Sequence, residues 1–234
     1  MSRIPSDPPP APADPPSPAV RRSGHYHHGD LKAALVDAAV GLIAERGVAG
    51  FSMAEASRRL GVTVAAPYRH FADRDELLAA VAVRALGALH TAVAAAIDPA
   101  GPPPRQLAAV AAAYVRFAAA NPALFGTLFG AHLDKARFPG VQRAAGPLES
   151  AFLARVEAVC PEDPAAAAAL AGAVLACAHG YATLLLDRVP ASGTPVGRAP
   201  ASRAPDDLAA AGEATAQEAF SATLALIAGR GAWG

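Results

Sequence analysis

Between positions 62 and 78 the chain reads VTVAAPYRHFADRDELL. Tyr68, Arg69, His70 and Arg74 supply a hydroxyl, an imidazole and two guanidinium groups along this short run. Such donors suit phosphate oxygens, and Arg69 is also the best candidate for a direct contact to a base edge. The residues before them, Thr63, Val64, Ala65 and Ala66, are small. Side chains of that size let the backbone approach base edges, and their methyl groups can meet thymine methyls. Nucleic acid is therefore the first partner to consider.

Other chemistry finds little footing. The chain has no GxSxG, no GxxxxGK[ST] and no HExxH, and Glu149, Glu157 and Glu162 are scattered acids on expected helix surfaces. No enzyme activity is expected. His25, His27 and His28 in HYHHGD have metal-ligand chemistry, but no Cys or further His lies near them in sequence. A solvated or DNA-proximal arm fits better, and its partial protonation would add positive charge. No metal and no cofactor are expected.

The donors need elements to aim them. Leu31, Leu35, Ala38, Leu42 and Ile43 recur at helical spacing from Asp30, and Gly47 ends that run as a C-terminal cap. Ser52 opens a second helix with Glu55 three residues on, the pattern of a capping box. Leu60, Gly61 and Val62 make a turn in which Gly61 tolerates positive φ and Val62 plugs the gap between helices. A third helix is predicted over 63–71, with Thr63 as N-cap; Pro67 lies close enough to its start to forfeit only the first helical hydrogen bond. Asp73 and Glu76 open a fourth helix that runs to about residue 97. Two short helices joined by a glycine turn, the second only long enough to enter a major groove, have the layout of a helix-turn-helix unit.

The remaining sequence is helical in pattern throughout. DPAGPPPR at 98–105 marks a domain boundary, followed by helices near 106–120, 122–132, 141–160, 164–187 and 206–229. Gly146 and Pro147 are a potential break in the third of these, and RVPASGTPVGRAPASRAP at 188–205 reads as a flexible loop. Residues 1–24 are Pro-, Ser- and Ala-rich and end near Arg21 and Arg22, a pair suited to a basic arm on the DNA backbone or minor groove. Phe117, Phe125, Phe129, His132, His179 and Tyr181 are candidates for a mostly apolar pocket with a few polar groups.

Composition sets the limits. Of 234 residues 53% are hydrophobic, many of them alanine, which favours closely packed helices. Formal net charge is zero, with 20 basic and 20 acidic residues, so any affinity for nucleic acid must be local. Cys160 and Cys177, far apart, fit thiols in a reducing cytoplasm. Prolines fill the place of a signal-peptide apolar region. Residues 165–186 lack Asp, Glu, Lys and Arg, yet are alanine-rich and include His179, Gly180 and Tyr181. A helix buried among other helices explains them more simply than a membrane span. The expectation is a soluble cytoplasmic protein.

Residues 30–78, through FSMAEASRRLGVTVAAPYRHFADRDELL, resemble the DNA-binding domain of the tetracycline-repressor (TetR) family of bacterial transcription regulators. YHHGDL, AAPYRHF, ALFGTLFG and AHGYATLLLD are similar to the branch with a WHG-type ligand domain, although 173–178 contains no tryptophan. The resemblance implies an all-α homodimer: a three-helix DNA-binding domain over 25–78, linked through helix 73–97 to a larger ligand-binding and dimerisation domain over 98–230. It implies phosphate contacts at Ser52, Tyr68, His70 and Arg74, and base-facing positions at Thr63, Val64, Ala65, Ala66 and Arg69. Ala54 departs from the polar or basic residue that many members carry. The implied function is a repressor that binds a pseudo-palindromic operator and is released by a small, largely apolar effector. The alternative is a helical small-molecule-binding or catalytic protein in which 30–78 is only scaffold.

Overall fold

A computed structural model describes residues 28–134 and 136–187. The proline-rich tail with Arg21 and Arg22, His25 and His27, the loop over 188–205 and the helix expected over 206–229 lie outside the described residues. Seven α-helices and one 3-10 turn make up the described chain, with no strand among them. They are α1 (His28–Arg46), α2 (Met53–Leu60), the 3-10 turn Pro67–Arg69, α3 (Arg74–Ala96), α4 (Pro103–Ala120), α5 (Pro122–Gly130), α6 (Pro139–Val159) and α7 (Pro164–Leu186).

Local chemistry explains where most of these helices begin and end. Each of α4 to α7 starts on proline, where a missing N–H costs nothing and φ is already helical. For α4 this moves the start three residues ahead of the expected 106. The first helix also starts early, at His28, so Asp30 lies inside it. Pro147 lies inside α6 without ending it.

Gly61 closes α2 at φ 66° with both bonds of a Schellman cap, Gly61 N–H to Arg58 C=O (3.2 Å) and Val62 N–H to Ser57 C=O (3.1 Å). A Cβ there would meet no atom within 4 Å, so the demand is conformational and not steric. Gly61→Ala is expected to destabilise the fold by about 1–2 kcal/mol, read as a lower urea midpoint. An unchanged midpoint would mean that the turn has no need of left-handed backbone.

One hydrophobic core runs through both halves. In α1, α2 and the turn it includes Leu35, Ala39, Leu42, Met53, Ala56 and Phe71; it continues along α3 through Leu77, Val81, Ala85, Leu89 and Val93. Beyond the expected boundary it takes in Leu107, Tyr114, Phe125, Val156, Leu170 and Val174. Helix α3 packs against α1 at one end and against α4, α5 and α6 along the rest. Ion pairs tie α1 to its neighbours, Arg59 to Glu45 with two bonds (2.6 and 2.8 Å) and Arg84 to Asp37.

Helix α7 differs from the enclosed helix expected at 165–186. Its buried residues form one stripe, Ala167, Leu170, Val174, Ala178 and Ala182, while Leu175 and Leu184 are exposed among the described residues. Intervals of three and four residues put that stripe on one side of a helix, here against α4. By length and composition α3 and α7 are each apolar enough to cross a membrane, although half of the α3 window is buried inside the protein.

Candidate nucleic-acid interface

Ser52 caps α2 by accepting from the Glu55 N–H (3.3 Å). The Glu55 carboxylate does not return to Ser52 as a capping box would; it pairs with Arg46 (2.7 Å) and Arg58 (3.4 Å), which offer full charges. The Ser57 hydroxyl, fully buried, donates to Met53 C=O (3.0 Å) and so carries no orphan polar group into the core. Val62 is only half-buried. Leu60, not Val62, packs on the core at this turn.

No α-helix forms over 63–71. Ala66 N–H bonds Thr63 C=O (3.0 Å), Arg69 N–H bonds Ala66 C=O (3.2 Å) and His70 N–H bonds Pro67 C=O (2.9 Å), a run of i to i−3 closures. Proline at 67 cannot donate the i to i−4 bond that would engage Thr63 C=O, and the tighter bond from Ala66 takes its place. Only at the end does an α-type bond appear, from Phe71 N–H to Pro67 C=O (3.0 Å). The segment is pinned from below by Pro67 and Phe71, the latter 2% exposed. Its outer side carries Thr63, Val64 (51% exposed), Ala65, Tyr68 (53%) and Arg69, with Ala66 and His70 half-buried.

Asp73 caps α3 by accepting from Glu76 N–H (2.9 Å), and Glu76 reaches back to Ala72 N–H (2.5 Å). That backbone bond, then Arg137, holds the Asp73 carboxyl below its usual range. Arg137, between α5 and α6, bonds Asp73 and lies 3.8 Å from Asp75. It thereby joins the second half of the chain to the residues just after the exposed turn, a link no local pattern could have announced.

The structure gives Arg74 internal partners. Its Nε donates to Phe51 C=O (3.2 Å) and a terminal nitrogen to Val48 C=O (2.5 Å), with the guanidinium 5.8 Å from the Phe51 ring centre. The side chain fastens α3 to the connection between α1 and α2.

Of the six residues expected to line a pocket, three meet. His179 stacks on Phe125 (5.7 Å between centres) and lies 4.5 Å from Phe129, and the two phenylalanines are 4.8 Å apart. The hub of this group is Tyr114, absent from the sequence-based set, whose hydroxyl is 3.0 Å from His179 Nδ1. Burial pushes the Tyr114 phenol well up, so it stays protonated. Its one available signal was a polar-tipped ring within the apolar AAAYVRF run. Phe117 is buried in the core, His132 is exposed at φ 47° just after α5, and Tyr181 is half-buried. Among the described residues, neither Phe117 nor His132 joins these ring contacts. Two open clefts lie elsewhere: one of about 410 Å³ between α6 and α7, beside Val156, Cys160 and Ala167, and one of about 420 Å³ beside Asp98 and Arg105.

Comparison with known proteins bears on both halves. Residues 35–81 match bacterial regulatory proteins of the tetR family, and residues 107–195 match a tetracyclin repressor-like C-terminal domain. The chain is 29% identical over 136 residues to the HTH-type transcriptional regulator BetI of Rhizobium meliloti strain 1021, spanning 56% of this chain and 67% of that one. A protein of unknown function from Rhodococcus sp. RHA1 superposes with a TM-score of 0.62 at 29% identity, over 84% of this chain and 98% of the other. A bacterial regulatory protein in the tetR family from Rhodococcus RHA1 shares the fold, with a TM-score of 0.55 at 20% identity over 80% and 95% of the two chains.

Proposed function

Because this chain belongs to the tetR family of bacterial regulatory proteins, with their helix-turn-helix in its amino-terminal part, we propose that it is a repressor that binds a pseudo-palindromic operator as a homodimer and is released by a small, largely apolar effector. The observation that carries the DNA reading is the exposed face of the turn over 63–71, held rigid by Pro67 and Phe71 beneath it. Val64, Ala65 and Ala66 meet bases there together with Thr63, and Arg69 grips a base edge. Tyr68, His70 and Ser52 take phosphates, and Arg74 adds its charge while fastened at Phe51 and Val48. Arg21 and Arg22 extend the contact along the backbone.

The effector half extends over residues 98–230, joined to the head through α3. Leu175 and Leu184, exposed on α7, support pairing of two copies through that helix. The ring group of Tyr114, Phe125, Phe129 and His179 supports an apolar effector with one polar group, for which these rings move apart. Two of the rings sit on α5, which packs on α1 and α3. An effector that favours a different seat for α5 shifts the population toward heads whose spacing no longer matches adjacent grooves.

Fluorescence anisotropy with a duplex from upstream of its own gene tests the reading, beside a scrambled duplex and across salt. Tighter, salt-sensitive binding to the native duplex, lost in Tyr68→Ala, is expected. No binding to either duplex at low salt would overturn it.

A further inference from the structure

Most of the described cations of the DNA-reading head have a carboxylate beside them. Among the described residues from α1 to α3, Arg46 and Arg58 pair with Glu55, Arg59 with Glu45, Arg84 with Asp37 and Arg74 with Asp75. Only Lys32 and Arg69 carry no carboxylate. Arg69 is on the exposed turn itself. Lys32 is far from it in sequence, on the second turn of α1, yet its Nζ is 5.5 Å from the centre of the Phe71 ring. Phe71 ends the turn that Tyr68, Arg69 and His70 belong to. The two described cations of the head without a carboxylate therefore lie on and beside one short segment.

We propose that Lys32 is a phosphate-binding residue of the operator complex, set on the flank of the exposed turn by its seat over Phe71. Leu35, fully buried, fixes which face of α1 turns inward and so holds Lys32 at the rim. Phe71 supplies a platform, because a ring face attracts an ammonium and steadies the lysine stem. That attraction is weak at an exposed site, so the three N–H donors stay free for an anion. A lysine is a strongly hydrated point charge on a flexible stem, suited to a phosphate and poorly suited to reading a base edge through two bonds. Its position beside Phe71, at the end of the turn, points the same way. Position 32 does for the backbone what Arg69 does for the bases.

This assignment rests on the DNA-binding reading, and its test separates the two. Operator and scrambled-duplex affinities are measured against salt for the full chain and for Lys32→Ala and Lys32→Arg, with thermal melting of each. For Lys32→Ala the slope of log affinity on log salt is expected to shrink by about 1.8, the share of one phosphate from each of the two subunits. A fourfold dilution of salt would then tighten the wild type roughly twelvefold more than the variant. The loss should be equal on both duplexes, and Lys32→Arg should restore the slope. A wild-type slope in Lys32→Ala overturns the proposal, whether affinity holds or falls together with melting temperature. A loss confined to the operator would make Lys32 a base contact and overturn it too. A wild type that binds neither duplex overturns the DNA-binding reading, and this assignment with it.

Discussion

Leu89→Ala should lower the free energy of unfolding by about 2–5 kcal/mol, the range for emptying a leucine site that cannot collapse. Leu89 is 1% exposed on α3, the helix against which α4, α5 and α6 pack. Its neighbours are held on several sides, so the cavity should persist. Because the core is continuous from Leu35 to Val174, the loss should be felt by the whole described chain. Urea unfolding followed by circular dichroism should show one transition, with a lower midpoint and an unchanged slope. Two separated transitions, one of them at the wild-type midpoint, would mean that the DNA-reading head folds independently of the site at Leu89.

Arg74→Ala should lose both stability and operator affinity. Hydrogen bonds to a charged group contribute about 1.5–3 kcal/mol. Because the Arg74 side chain is partly solvated, with 37% of it exposed, the lower end applies. The substitution also leaves Phe51 C=O and Val48 C=O without this donor. Lysine at this position keeps the charge but cannot reproduce the fork, so Arg74→Lys should recover DNA affinity more fully than urea resistance. Were Arg74 a phosphate contact alone, Arg74→Ala would unfold at the wild-type urea midpoint.

What the sequence made legible was mostly local. Helical spacing and the glycine at 61 mark the elements, because each acts through bonds a few residues long. The 63–71 segment illustrates the limit. Its residue types pointed to an exposed reading surface, but the geometry turned on whether one absent N–H at Pro67 would be tolerated within an α-turn. It was not, and the chain tightened. Arg74 read as a free cation because its acceptors, Phe51 and Val48, are backbone carbonyls more than twenty residues away. Any residue carries such a carbonyl, so no pattern marks it. Tyr114 and His179 meet across 65 positions, and Arg137 and Asp73 across 64. Those pairings depend on how helices stack, which periodicity alone leaves open. Phe117, an aromatic like Phe125 and Phe129, faces the core because of its place on α4, although its type suited either role.

The length of α3 has a mechanical side. Its 23 residues, Arg74–Ala96, form a rod about 34 Å long at 1.5 Å per residue. Pivoted at its carboxyl end, a tilt of about 5° would carry Arg74 some ~3 Å, as far as a hydrogen bond is long. The exposed turn is fastened to that moving tip at Asp73 and Phe71. Small displacements at the carboxyl end of α3 would therefore arrive at the exposed turn enlarged, with α3 as the lever.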